Sequence, residues 1–150
     1  MAHDETPNPE LQRLDAFVGG WEIAMDVPGQ PGERARAETS FEWLEGGRFL
    51  IQRSTADDPF PDGISVIGWD EERGGCLIHY FDSRGVKRLY DLSFDGTELK
   101  MSRDVEEGDF AQRFTGRLSE DRATMDARWE RSDDGVNWEL DFELTYTKTN

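Results

Sequence analysis

The sequence predicts an all-β fold: a single closed, antiparallel, up-and-down barrel of about ten strands, with a short N-terminal helix plugging one end. Three observations carry this reading. Apolar and polar residues alternate with a period of two along most of the chain. Clusters of Pro, Gly and Asp interrupt that pattern at short intervals. Large aromatics, five Trp, nine Phe and three Tyr, supply most of the core area in a chain only 35% hydrophobic.

The helix comes first. Asn8 is a good cap, Pro9 fits the first turn, and Leu11, Leu14 and Phe17 or Val18 fall at helical spacing before Gly19-Gly20 ends it. So short a helix needs an apolar surface to dock on. Residues 1–8 are expected to be flexible.

Strands are predicted at 20–27, 34–44, 48–54, 63–70, 75–82, 86–94, 97–103, 110–117, 122–131 and 137–147. The alternation is clearest in the last, where Trp138, Leu140, Phe142, Leu144 and Tyr146 face one way and Glu139, Asp141, Glu143, Thr145 and Thr147 the other. It recurs in Ala35, Ala37, Thr39, Phe41 and Trp43. One dry and one wet face mean an antiparallel sheet, and closure removes the exposed edges. At 150 residues the chain reads as one domain, 1–150, with a core of useful size.

Charge narrows the partners. With 33 acids against 17 bases the formal charge is −16, a field that repels phosphate backbones and anionic headgroups. Neither nucleic acid nor a membrane is expected as a partner; a homodimer is left open. One cysteine, Cys76, permits no intrachain disulfide and fits a reducing compartment. No signal peptide or apolar span is visible, so a cytoplasmic location is expected.

"LDAFVGGWEIAMDV" carries a G-x-W element, Gly19-Gly20-Trp21, at the start of the first strand. With "FEWLEGGRFL", "HYFDSRGVKRLYD", "QRFTGRLSED" and "WERSDDGVNWELDFELTYTK", it resembles a bacterial lipocalin-like, calycin-related family of unknown function. The resemblance covers roughly residues 11 to 148. It implies an antiparallel barrel like those of lipocalins and fatty-acid-binding proteins, with a cavity for small apolar or amphipathic molecules. Gly19 and Trp21 would form the barrel-end motif. Lipocalins typically lay an Arg from late in the chain over that Trp; strand 137–147 has none, and Arg128 and Arg131 sit one strand earlier.

The candidate site comes from the hairpins. In "HYFDSRGVKRLYD", Asp82 and Gly85 suit a three-residue loop that sets Tyr80 opposite Arg88 and turns His79 outward. A two-residue loop would flip that parity. In "FDGT", Asp95-Gly96 as the central pair of a turn would set Tyr90 opposite Met101 and Arg88 opposite Arg103. The face bearing Leu92, Phe94, Leu99 and Met101 must be the interior. Two guanidiniums ~5.5 Å apart repel by about 3 kcal/mol at an effective dielectric near 20, so they call for an anion. Arg53, on a side with Phe49 and Ile51, and Arg131, with Met125, Ala127 and Trp129, are expected to add inward positive charge.

The main expectation is therefore a lumen that binds an apolar or amphipathic anion. Arg88, Arg103, Arg53, Tyr80 and Tyr90 would hold its head, and Trp43 and Met101 would enclose its tail. Arg88-Leu89-Tyr90 has the Arg-x-Tyr spacing of intracellular fatty-acid carriers. No catalytic residue, metal site or cofactor is expected. Cys76 and His79 fall on opposite strand faces, and His3 lies in the tail. The calycin resemblance implies that a haem-ligating histidine would come late in the chain, and none follows His79, so haem is not expected. "SDDGVNW" falls one residue short of an Asp-box and reads as a turn before an inward Trp138. Two alternatives stand beside binding: an isomerase or lyase stabilising an oxyanion in the same lumen, for which no base is visible, and a filled barrel acting as a structural or interaction module.

Overall fold

The computed structural model describes residues 8–105 and 110–150. The position of His3 and the expectation of a flexible start, apart from Asn8, therefore lie outside the described residues.

Asn8 caps helix α1 (Pro9–Gln12), its side-chain oxygen accepting from the amides of Glu10 and Leu11. A 3₁₀ turn (Arg13–Phe17) follows directly. Ten strands come next: β1 (Gly19–Asp26), β2 (Arg34–Trp43), β3 (Phe49–Ala56), β4 (Gly63–Asp70) and β5 (Gly75–Asp82). The second half holds β6 (Lys87–Phe94), β7 (Glu98–Arg103), β8 (Ala111–Leu118), β9 (Thr124–Ser132) and β10 (Glu139–Lys148). Each pairs antiparallel with the next, and β1 pairs with β10, so the sheet closes into a barrel without a free edge.

The helical segment stoppers one end. Leu11, Leu14 and Phe17 are each about 2% exposed, and the Phe17 ring meets Trp21, Phe41 and Phe94 at centroid distances of 6.2, 5.9 and 5.0 Å. Trp21 is 1% exposed, and its Nε1–H donates to the Phe17 carbonyl at 2.8 Å. Gly19, at φ 122°, makes the corner from the 3₁₀ turn into β1, where any Cβ would meet the Asn150 carbonyl at 2.8 Å. The cation over Trp21 is Lys148, whose Nζ lies 5.4 Å from the ring centroid. It is the last residue of β10, just beyond the stretch in which the sequence lacks an Arg.

Trp43 belongs to this stoppered end. Its indole N–H donates to Asp15 at 2.8 Å, which ties β2 to the 3₁₀ turn and leaves the ring off the lumen wall. Its expected role as a ligand contact is thereby corrected. The side chain has the inward parity of β2, but it stands past the level of the cavity.

Candidate functional site

The lumen opens at the opposite end. A cavity of about 470 Å³ is walled by Ile23, Met25, Ile78, Leu144 and Tyr146, by Tyr80, Tyr90, Met101 and Trp129, and by the polar side chains of Gln52, Ser54, Ser65 and Gln112. That volume lies within the ~300–1,000 Å³ typical of small-molecule sites. Among the described residues, the charged side chains on its wall are Arg84, Arg88, Arg131 and Asp141. Three guanidiniums thus face one carboxylate inside a chain of net charge −16.

The β5–β6 hairpin has the expected register. The Asp82 amide donates to the Val86 carbonyl at 3.0 Å, Gly85 takes a left-handed φ of 82°, and Tyr80 stands opposite Arg88. His79 pairs with Leu89 on the outer face and is exposed, so its imidazole does not reach the lumen. Among the described residues, no three His, Cys, Asp or Glu side chains group as metal ligands.

The next hairpin differs from expectation by a slide of two residues. Its central pair is Gly96-Thr97, because the Asp95 carboxylate accepts from the amides of Thr97 and Glu98 at 2.9 and 2.7 Å and Gly96 supplies φ 102°. Leu92 therefore faces Met101 and Phe94 faces Leu99. A two-residue slide keeps every side chain on its predicted face but separates Arg88 from Arg103. Arg103 instead stands opposite Gln112 of β8, 6% exposed, with its Nε–H donating to Gln112 Oε1 at 2.7 Å. It lies behind the cavity wall, which corrects its expected place as a direct contact.

Arg53 is a further correction. It points outward, exposed, with Glu42 at 3.8 Å. The apolar run Phe49-Leu50-Ile51 hides the parity of β3. Leu50, Gln52 and Ser54 face in, while Phe49, 44% exposed, lays its ring over Gly68 outside, so close that a Cβ there would meet the ring at 2.6 Å.

Phe110 organises the mouth. Its ring centroid lies 4.2 Å from the Arg131 guanidinium carbon, 4.7 Å from that of Arg103 and 5.4 Å from that of Arg88. Cations over a ring face engage its quadrupole, and a guanidinium stacked by its flat side keeps its in-plane N–H groups for an anion. Gln112 joins the layers, since its Oε1 also accepts from the Tyr90 hydroxyl at 3.0 Å. Burial raises the Tyr90 pKa, against a lowering pull from the neighbouring Arg88.

Across the mouth, the Tyr80 hydroxyl donates to Asp82 at 2.7 Å, and the Arg84 guanidinium reaches the same oxygen at 2.6 Å. Burial favours protonation of Asp82, but the hydrogen bonds from Arg84 and Tyr80 prevail and hold it far below the usual carboxylate range. Burial and its bond to Asp82 push the Tyr80 phenol well above its ordinary value.

The last correction is in β10. A bulge between Leu140 and Phe142 resets the pleat, turning Leu140 outward at 55% exposure and leaving Asp141 on the cavity wall. Trp138 is outside as well, its ring 4.1 Å from the Arg113 guanidinium, although the turn before it forms around Asp134 as expected. Burial raises the Asp141 pKa, opposed by the charge of Arg131.

Sequence reasoning missed Arg84, Phe110, Gln112 and Asp141. Parity with buried Phe114 along β8 was a usable signal for Gln112 and Phe110; nothing in the alternation marks the bulge.

The crystal structure of Rv2717c from M. tuberculosis superposes on this chain with a TM-score of 0.72, covering 97% of this chain and 100% of that one at 15% identity. The two share a fold. No protein-family model matches the sequence, and no curated protein matches it significantly. A β-barrel of this kind is compatible with ligand binding.

Proposed function

We propose that the protein binds a small apolar or amphipathic anion in its lumen, tail inward and head at the mouth. One observation carries the reading: Arg88 and Arg131 both meet the Phe110 ring on the wall of a mainly apolar cavity, in a chain of net charge −16. Apolar walls supply affinity for the tail in proportion to area removed from water. Charge-assisted hydrogen bonds from the guanidiniums would fix the head, at roughly 1.5–3 kcal/mol each. Gln112 lines the cavity beside them, and Arg103 braces Gln112 from behind.

The reading includes a cytoplasmic location, supported by the single free cysteine, and a relationship to calycin barrels, supported by Gly19, Trp21 and the Lys148 cation above it. Displacement of the fluorescent anion 1-anilinonaphthalene-8-sulfonate by dodecanoate, compared with dodecanol, tests it. Dodecanoate is expected to bind at least 10-fold more tightly, with the preference lost in Arg88→Ala and Arg131→Ala. Equal affinity for acid and alcohol, or unchanged affinity in both variants, would overturn the anion site.

A further inference from the structure

The two acids at the mouth are placed very differently. Asp82 is engaged by Tyr80, by the Arg84 side chain and by the Arg84 amide at 2.9 Å. Asp141 accepts no hydrogen bond among the described residues, yet it lines the cavity beside Phe142, whose ring packs on Phe60 at 5.1 Å. Arg131, the cation that acts on Asp141, stacks on Phe110 and has an ion pair with Asp133 at 3.6 Å. A half-buried carboxylate without donors is poorly solvated, and poor solvation strengthens a base. The arrangement exists only because β10 bulges; a regular strand would put Asp141 in solvent.

We propose that Asp141 is a Brønsted base that takes a proton from a carbon of an apolar carbonyl compound held in the lumen, with Arg88 and Arg131 receiving the oxyanion. The inference rests on the lumen being a binding site and adds chemistry to it. In the step, the C–H bond next to the carbonyl breaks and the proton passes to an Asp141 carboxylate oxygen. The electron pair moves through the carbonyl carbon onto oxygen, giving an enolate among the guanidiniums. For a β,γ-unsaturated ligand, the Asp141 carboxylic acid then returns the proton to the γ carbon and the double bond moves into conjugation. Nothing is oxidised or reduced and no co-reactant is consumed, so the reaction class is isomerisation. Tyr90 is not the oxyanion donor, because its hydroxyl already donates to Gln112.

The probe 5-nitrobenzisoxazole reports such a base directly. Loss of its C3 proton breaks the N–O bond, forms a nitrile and leaves a coloured phenolate whose charge an Arg cluster would favour. The wild-type protein is expected to turn it over saturably. Asp141→Asn should lower kcat at least 50-fold while changing KM less than 3-fold and leaving dodecanoate affinity within 3-fold. Glu143→Gln, an exposed acid on the outer face of β10, serves as the control and should match wild type. Arg131→Gln should lower kcat about 10-fold. Wild-type-like turnover in Asp141→Asn, or no turnover by a wild-type protein that binds dodecanoate, would overturn the base and leave the binding reading standing. Failure to bind dodecanoate as well would overturn both.

Discussion

The Tyr90 hydroxyl and the Gln112 side-chain oxygen meet at 3.0 Å, and the same oxygen takes the Arg103 Nε–H at 2.7 Å. One amide thus serves two buried donors on two strands. Gln112→Leu would deprive both of that acceptor, at a cost of about 2–3 kcal/mol. Denaturant unfolding should show that loss; Tyr90→Phe, which removes a single donor, should cost less than half as much.

Phe110 is predicted to act through its ring. Phe110→Leu keeps apolar bulk but discards the quadrupole that three guanidiniums share. At roughly 0.5–2 kcal/mol per contact, and with contacts that are not additive, dodecanoate affinity should fall about 3- to 30-fold. Phe110→Tyr should restore it, as measured by displacement titration.

Asp141 is expected to cost stability. Burial raises its folded pKa above the unfolded value, so between the two the folded state holds more protons, and stability falls as pH rises through that range. Asp141→Asn should therefore have a higher Tm than wild type at pH 7. Thermal melts should show the gap closing as pH is lowered and the wild-type carboxyl becomes neutral.

Cys76 should be inert at neutral pH. Burial, with a smaller push from Glu10, moves its thiol pKa up to about 11. The thiolate is the reactive species, so iodoacetamide at pH 8 should label the folded protein far more slowly than the unfolded chain. Equal labelling rates would mean that the stoppered end opens readily.

Trp21→Ala should be the most damaging of these changes. It removes a fully buried indole and its bond to the Phe17 carbonyl, for about 3–5 kcal/mol. Calorimetry that showed no loss would mean that the helical segment does not depend on that ring.

The barrel was legible in the sequence because its strands bury one face, and a buried face writes itself as alternation. Tyr80, Arg88, Tyr90 and Met101 are on the lumen wall for that reason. Three things escaped. The Phe49-Leu50-Ile51 run carries no parity, so Arg53 was assigned to the wrong face. In β10, the strand with the cleanest alternation, one bulge moved Asp141 in and Leu140 out, and backbone irregularity leaves no mark in hydropathy. Between β6 and β7, the side chain of Asp95 chose the turn, and a slide of two residues preserves faces while exchanging neighbours. Faces follow from burial, but neighbours depend on local turn chemistry.

With Leu11, Leu14, Phe17 and Trp21 wedged into one end, the described residues of the barrel form a cup that is entered from the other. Whatever enters must back out past the aromatic ring and arginines at the rim, head group leaving first. Residence time would then be governed at the threshold, and lengthening the tail should slow escape far more than it speeds arrival.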